Sequence, residues 1–220
     1  MNKQIEDKLE QGRTYRDMEI RALEDENESR FIVDGYASTF NEPYLLFEEP
    51  GYKVFEQVDS RAFDDTDMTD VIMQYDHEGR VFARMSNDTL VVIPDERGLR
   101  ITADLGGTEI GRQLYEEIRG GYTNKMSFGF TVEADERKIT EDKEAQTVTV
   151  MRTITKVGKL YDVSAVSLPA NPATSISSRA DGEGVIADAK EEILKAEEER
   201  KAIERQKQKI RILMEVNNGI

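Results

Sequence analysis

The sequence predicts a mainly β fold with some α: a mostly antiparallel, closed β-barrel with one or two packed helices, followed by a long C-terminal helix. Three observations support this prediction. About eight short segments are rich in β-branched and aromatic residues or alternate apolar with polar residues. One segment has the apolar spacing of an amphipathic helix, and a charged stretch of helical composition ends the chain. A length of 220 residues suits one domain with an appendage.

The predicted strands follow one another closely along the chain. The clearest is 99–105, in which Leu99, Ile101, Ala103 and Leu105 share one face. A turn at 94–98 joins it to the strand before it, as in a hairpin. The full set of predicted strands is 31–40, 53–58, 71–75, 89–93, 99–105, 125–132, 147–154 and 160–168, with a charged connection at 133–146.

One helix interrupts these strands. Thr108 is suited to cap its N-terminus, because a threonine side chain accepts a hydrogen bond from the first turn. Ile110, Leu114 and Ile118 repeat at a spacing of four, which places them on one face. Gly120 follows the last of them and ends the predicted helix.

Composition divides the chain into four parts. Residues 1–29 are charged and sparse in apolar side chains, which predicts a flexible N-terminal arm. Residues 30–176 form the predicted β-barrel domain, and 177–184 has the composition of a linker. Residues 185–220 are predicted to form a charged helical tail in which acidic residues precede basic ones. Two interpretations of the tail remain: a coiled coil, or a solvated helix that needs a partner.

The charge and the cysteine content exclude several functions. Lys and Arg number 30 against 45 Asp and Glu, a formal charge of −15. This acidity argues against nucleic acid and against an anionic membrane surface as partners. The absence of cysteine excludes thiol catalysis, disulfides and thiolate metal sites. No apolar run approaches the roughly 20 residues that span a bilayer.

The single histidine of the chain, His77, is the first candidate for chemistry. It follows the predicted strand 71–75, and a surface histidine in an acidic turn is the plainer interpretation. Its neighbours Asp76 and Glu78 do not form an obvious metal site with it, because adjacent residues of an extended chain point in different directions. One imidazole without thiols argues against zinc, whereas a carboxylate site for Mg²⁺ or Ca²⁺ remains an alternative.

Ser127 and Asp162 are the other candidates. In the segment 126–130, alternation places Met126 and Phe128 on one face and Ser127 with Gly129 on the other. A residue without a side chain lets another backbone approach the serine closely, in an accessible groove. An acid such as Asp162 can orient an imidazole and stabilise its protonated form. A plain edge strand and a solvated aspartate are the respective alternatives.

The order of these segments resembles that of a known family. The chain contains a Gly35-Tyr-Ala-Ser-Thr-Phe40 strand, the His77 segment, Met126-Ser-Phe-Gly-Phe130 and Val163-Ser-Ala-Val-Ser-Leu-Pro-Ala-Asn-Pro172. Over about residues 30–180 it resembles the prohead maturation proteases of tailed phages, which are serine proteases with the fold of the herpesvirus capsid protease, assemblin. The resemblance implies that Ser127 is the nucleophile, His77 the general base and Asp162 the third member, with no cofactor and no metal.

The resemblance also implies a substrate class and a location. The expected activity is endoproteolysis of the phage scaffold and major capsid proteins, and of the protease's own termini. The expected place is the interior of the immature capsid, the prohead, in the host cytoplasm. A homodimer is expected by analogy with assemblins, and residues 185–220 are expected to tether the protease to the scaffold or capsid interior. Two rivals remain: a non-enzymatic assembly or scaffolding factor, and a metal hydrolase that uses Asp76, His77 and Asp162.

Overall fold

The computed structural model describes residues 13–23, 30–167 and 172–217, and in these segments the chain forms ten strands and two helices. Within those segments, neither helix is long and apolar enough to cross a bilayer. The elements are β1 (Thr14–Ala22), β2 (Ile32–Thr39), β3 (Tyr44–Glu49), β4 (Tyr52–Val58), β5 (Ile72–Tyr75), β6 (Glu78–Arg84), β7 (Leu90–Pro94), β8 (Gly98–Asp104), α1 (Glu109–Arg119), β9 (Lys125–Asp142), β10 (Thr147–Val166) and α2 (Pro172–Asn217).

The ten strands form one mixed sheet, and the predicted closed β-barrel is wrong. The hydrogen-bonded order is β3-β4-β10-β9-β1-β2-β8-β7, with β5 on β10 and β6 on β5. Among the described residues, no ladder joins β3 or β6 to β7 and closes the sheet. The physical reason lies in the 20-residue strand β10. Its first half runs parallel to β4 and its last residues run parallel to β5, so the sheet branches there instead of rolling into a ring.

Strands β9 and β10 are longer than the local pattern predicted. They pair antiparallel from Lys125 and Val166 to Asp142 and Thr147, so most of the predicted connection 133–146 belongs to the ladder. The two predicted strands 147–154 and 160–168 merge into β10 through register shifts between Ile154 and Asp162. Charged residues fit the far part of this hairpin because most of its side chains there face solvent.

Strand β1 lies in the segment that was predicted to be a flexible arm. Residues 14–19 pair antiparallel with β9, and residues 20–22 pair with β2. Its charged composition hid the strand, yet Arg16 is buried, with 4% of its surface exposed. The rest of the predicted arm, 1–12 and 24–29, lies outside the described residues.

Helix α1 packs one face into the main core and confirms the helix predicted between Thr108 and Gly120. The Thr108 hydroxyl oxygen accepts a hydrogen bond from the Gly111 backbone N–H at 3.0 Å. Leu114 and Ile118 are buried, as their spacing predicted. They belong to the large apolar cluster that forms the main core.

Helix α2 begins in a second, smaller core. Its residues Val185, Ile186 and Ala189 are buried against Val54 of β4 and Val150 of β10. The segment 177–184, predicted as a linker, is helical and forms part of this packing. The composition of 177–184 predicts a linker because glycine and polar residues dominate the segment. In the structure, a glycine is needed at position 182 because the helix approaches Phe47 of β3 closely there.

A buried ion cluster lies between the two cores. On the paired strands β4 and β10, the Val54–Val150 and Val58–Ile154 pairs flank the Glu56–Arg152 pair. The Arg16 guanidinium of β1 also binds Glu56, with its Nε atom 2.6 Å from Oε1. Its Nη2 atom lies 3.0 Å from the carboxylate of Asp181 on α2. The cluster therefore links three strands of the sheet, β1, β4 and β10, to helix α2.

The charge state of this cluster depends on Glu56. Burial alone raises the pKa of Glu56, but the Arg16 and Arg152 guanidiniums outweigh burial and hold that pKa below its ordinary value. Glu56 therefore stabilises the folded chain at neutral pH. The contribution is lost as the pH falls through the lowered pKa, because the protonated acid no longer pairs with the guanidiniums.

The docking of α2 can be tested at two glycines of the same helix. A Cβ atom added at Gly182 would lie 2.2 Å from the Cβ atom of Phe47, whereas one added at Gly184 would meet nothing within 4 Å. We expect Gly182→Ala to destabilise the chain by about 1–3 kcal/mol through overpacking. Gly184→Ala should stabilise it by up to about 1 kcal/mol, because alanine favours a helix. Urea unfolding checks both. Equal effects of the two substitutions would contradict the docked helix.

Candidate active site

His77 lies at the turn between β5 and β6. Asp76 and His77 are the two central residues of this tight hairpin, and both have positive φ angles, 49° and 59°. The flanking residues Tyr75 and Glu78 pair with each other, as in a two-residue hairpin turn that needs positive φ at both positions. The Asp76 carboxylate accepts a hydrogen bond from the Ser167 backbone N–H at 3.1 Å and fixes the turn against the end of β10. Residues other than glycine adopt this backbone at an energetic cost, which the strand pairing and the Asp76–Ser167 hydrogen bond offset.

Strand β10 supplies the partner of this imidazole. Its residues Asp162–Ala165 run parallel to Ile72–Tyr75. His77 follows the end of β5 and therefore lies close to the face of β10 that carries Asp162. The Nδ1 atom of His77 lies 2.5 Å from Oδ1 of Asp162. The Ser164 hydroxyl donates to the same oxygen at 2.9 Å. Both His77 and Asp162 are buried, with 0% and 1% of their surface exposed.

This contact determines the tautomer of the imidazole. An ionised carboxylate only accepts hydrogen bonds, so Nδ1 of His77 must carry the proton that it donates to Asp162. In the neutral ring, Nε2 then keeps its lone pair and can accept a proton. This is the arrangement that a general base needs, with the acid holding the ring and stabilising the positive charge that forms.

Ser127 lies on the neighbouring strand β9 and on the same face. Its Cα partner across the β9–β10 ladder is Ser164, and Gly129 is the partner of Asp162. Directly opposed residues share a face, with their Cβ atoms about 4.5–5.5 Å apart. The opposite face belongs to the core, where Phe128 and Val163 are buried. Three adjacent strands therefore bring the three predicted residues onto one small polar face.

The site is closed, which corrects the expectation of an accessible groove. Ser127 and Ser164 are each fully buried. On the side of β9 away from β10, strand β1 pairs along the whole serine segment, with Asp17 as the Cα partner of Ser127. The polar face is thus assembled but not exposed, and a polypeptide substrate needs a rearrangement to reach the serine.

Sequence reasoning missed one member of the site and one structural partner. Ser164 is not among the candidates named from the sequence, although its spacing of two from Asp162 predicts that the two side chains share a face of the strand. Asp76 had been weighed as a metal ligand, but its carboxylate binds the end of β10 at Ser167. Among the described residues, no group of three or more histidine and acidic side chains is arranged to hold a metal ion.

Comparison with known protein families gives a match over most of the chain. A family model described as "Caudovirus prohead serine protease" matches residues 16–187, which is more than half of the chain. The match begins within β1 and ends within α2, so it includes all ten strands or parts of them and all three predicted site residues. No curated protein and no solved structure is significantly similar to the chain.

Proposed function

Since the chain belongs to the caudovirus prohead serine protease family, we propose that it cleaves the scaffold and major capsid proteins, and its own termini, inside the immature capsid in the host cytoplasm. The observation that supports this proposal most is the 2.5 Å contact between His77 and Asp162 on the face that also carries Ser127. A serine, an imidazole and a buried acid so arranged are the parts required for acyl transfer.

The proposed reaction proceeds through an acyl-enzyme. His77 accepts the Ser127 hydroxyl proton at Nε2 while the serine oxygen attacks the carbonyl carbon of the scissile peptide bond. The resulting imidazolium gives that proton to the leaving amine as the carbon–nitrogen bond breaks. Water then attacks the ester with His77 again as base, and the carboxylic acid product leaves. Asp162 holds the ring by its Nδ1–H and stabilises the imidazolium, and backbone N–H groups stabilise the oxyanion.

The proposal is tested by mass spectrometry of shell proteins from proheads assembled with the wild-type chain or with the Ser127→Ala variant. Cleaved capsid and scaffold proteins in the first sample only would support the protease. Identical fragment sets in both would refute it. A pure assembly factor predicts intact shells and unprocessed proteins in both samples.

The exposed part of α2 is proposed to tether the protease to the scaffold or the capsid interior. Every side chain in 191–209 is exposed or half-exposed, including the apolar Leu194 and Ile203, at 61% and 53%. The tether does not begin at 185, because Val185, Ile186 and Ala189 are buried in the second core. An exposed helical stretch in which most acidic residues precede most basic ones offers a charged surface to a partner.

Deletion of residues 191–220 is expected to leave peptide cleavage unchanged and to stop incorporation of the protease into proheads. The deletion keeps the docked part of α2 and the Asp181 contact with Arg16 intact. Immunoblots of purified proheads, normalised to capsid protein, measure incorporation. Incorporation of the shortened chain at the wild-type level would refute the tether.

A further inference from the structure

Within the described segments, the strands of the site leave one place for an extended substrate. Strand β10 lies between β9 on one side and β5 on the other at the level of Asp162–Ala165. Strand β5 in turn is paired with β6. The other edge of β9 at the level of Ser127 is covered by residues 14–19 of β1. Among the described residues, 14–19 pair on one side only, because β1 pairs with β2 from Ile20 onward.

Distances decide between two modes of strand addition. Neighbouring strands lie about 4.8 Å apart, so a peptide added to the outer edge of β1 would lie about 9.6 Å from β9. Attack requires the serine oxygen and the carbonyl carbon to come within about 3–3.5 Å. A peptide that takes the place of residues 14–19 instead lies in the first position beside Ser127.

If a substrate strand replaces residues 14–19 of β1, the antiparallel ladder along β9 is kept. A substrate strand that pairs with β9 replaces the backbone hydrogen bonds that β1 gives up. The preference for the closed form then depends on side chains, and one buried anchor of this part of β1 is Arg16. Its guanidinium is held by Glu56 on β4 and by Asp181 on α2. These contacts with β4 and α2 therefore hold β1 in its position beside β9.

We propose that the edge of β9 at Lys125–Phe130 is the substrate-binding edge of the protease and that residues 14–19 of β1 occupy it as an exchangeable strand. The proposal rests on the proposed endopeptidase function. It assigns the substrate class as an unfolded polypeptide segment of about six residues that pairs as a strand. Cleavage then requires β1 to leave, so the described state is the closed one.

A disulfide between β1 and β9 tests this proposal, because the chain contains no cysteine of its own. Glu19 and Lys125 are Cα partners across the β1–β9 ladder, and the exposed Glu19 carboxylate forms an ion pair with the half-buried Lys125 at 2.9 Å. Antiparallel partners have Cα separations of about 4.5–5.5 Å, within the range that disulfides span. The variant is Glu19→Cys/Lys125→Cys. The matched control is Thr140→Cys/Thr149→Cys, a partner pair of β9 and β10 far from the site.

The measurement is cleavage of purified capsid protein and of a full-length Ser127→Ala copy, with labelling of Ser127 by a fluorophosphonate in parallel. The reduced variant gives the reference rate, because Lys125 belongs to the proposed substrate-binding edge and its replacement is not a neutral change. Oxidation should slow it at least tenfold, with recovery in dithiothreitol and no change in the control pair.

The outcomes separate the two proposals. Equal cleavage by the oxidised and reduced variants would overturn the exchangeable strand and leave the protease intact. Equal inhibition of the control pair would also overturn it, because the effect would then not come from β1. A folded wild-type chain that neither cleaves nor is labelled would remove the proposed function, and this inference with it.

Discussion

Replacement of Ser127 by alanine is expected to abolish processing of the shell proteins while proheads still assemble. Loss of the nucleophile in a serine protease lowers kcat by about 10⁶-fold. The fold should survive, because alanine suits the tight packing of β9 and a lost hydrogen bond costs about 0.5–1.5 kcal/mol. Mass spectrometry of the shell proteins measures processing, and circular dichroism of the purified variant checks the fold.

Ser164→Ala is the matched control for this prediction. Ser164 is also fully buried, lies opposite Ser127 and donates to Asp162 at 2.9 Å. Its loss should lower cleavage by about tenfold at most, since it only supports the acid.

Labelling of the wild-type chain by a fluorophosphonate in the presence of a chelator should modify Ser127. Full activity of Ser127→Ala would mean that another group is the nucleophile, and loss of activity with chelator would favour the metal hydrolase.

The sequence predicts local elements of this fold well where side-chain periodicity reflects burial. Strand β8 and helix α1 were predicted almost to the residue because one face of each enters the main core. The pairing of strands is a different matter. Strand β5 and the end of β10 are parallel neighbours although His77 and Asp162 are separated by 85 positions. No local pattern encodes that pairing, and for the same reason the sequence could not show that the sheet stays open.

The charged segments were misjudged for one physical reason. Hydrophobic patterns treat arginine and glutamate as surface residues, which is the usual case. Arg16 and Glu56 are buried because each compensates the charge of the other, and Arg152 adds a second guanidinium. These partners lie far apart in the sequence, so β1 resembled a flexible arm. The pairing at the edge of β9 escaped prediction with it, because β1 is the strand beside Ser127.

Replacement of Asp162 by asparagine is the second large effect that we expect, with kcat lower by about 10⁴-fold. Asp162 is a positioning residue, because it acts on the substrate through His77. An asparagine amide can present an N–H group to Nδ1, which favours the tautomer with the proton on Nε2. That tautomer cannot accept the Ser127 proton, although the shape of the side chain is nearly unchanged.

The single histidine makes this mechanism directly observable. Nitrogen-15 NMR of the imidazole needs no assignment, because His77 gives the only histidine signals of the chain. In its neutral form the wild-type imidazole should show a protonated Nδ1 and an unprotonated Nε2, and Asp162→Asn should invert the two. A structural role alone would lower stability without inverting the tautomer. If the Asp162→Asn variant is inactive but keeps the wild-type tautomer, then Asp162 does not act by setting the tautomer of His77. If the variant retains activity within tenfold of the wild type, then Asp162 has no part in the mechanism.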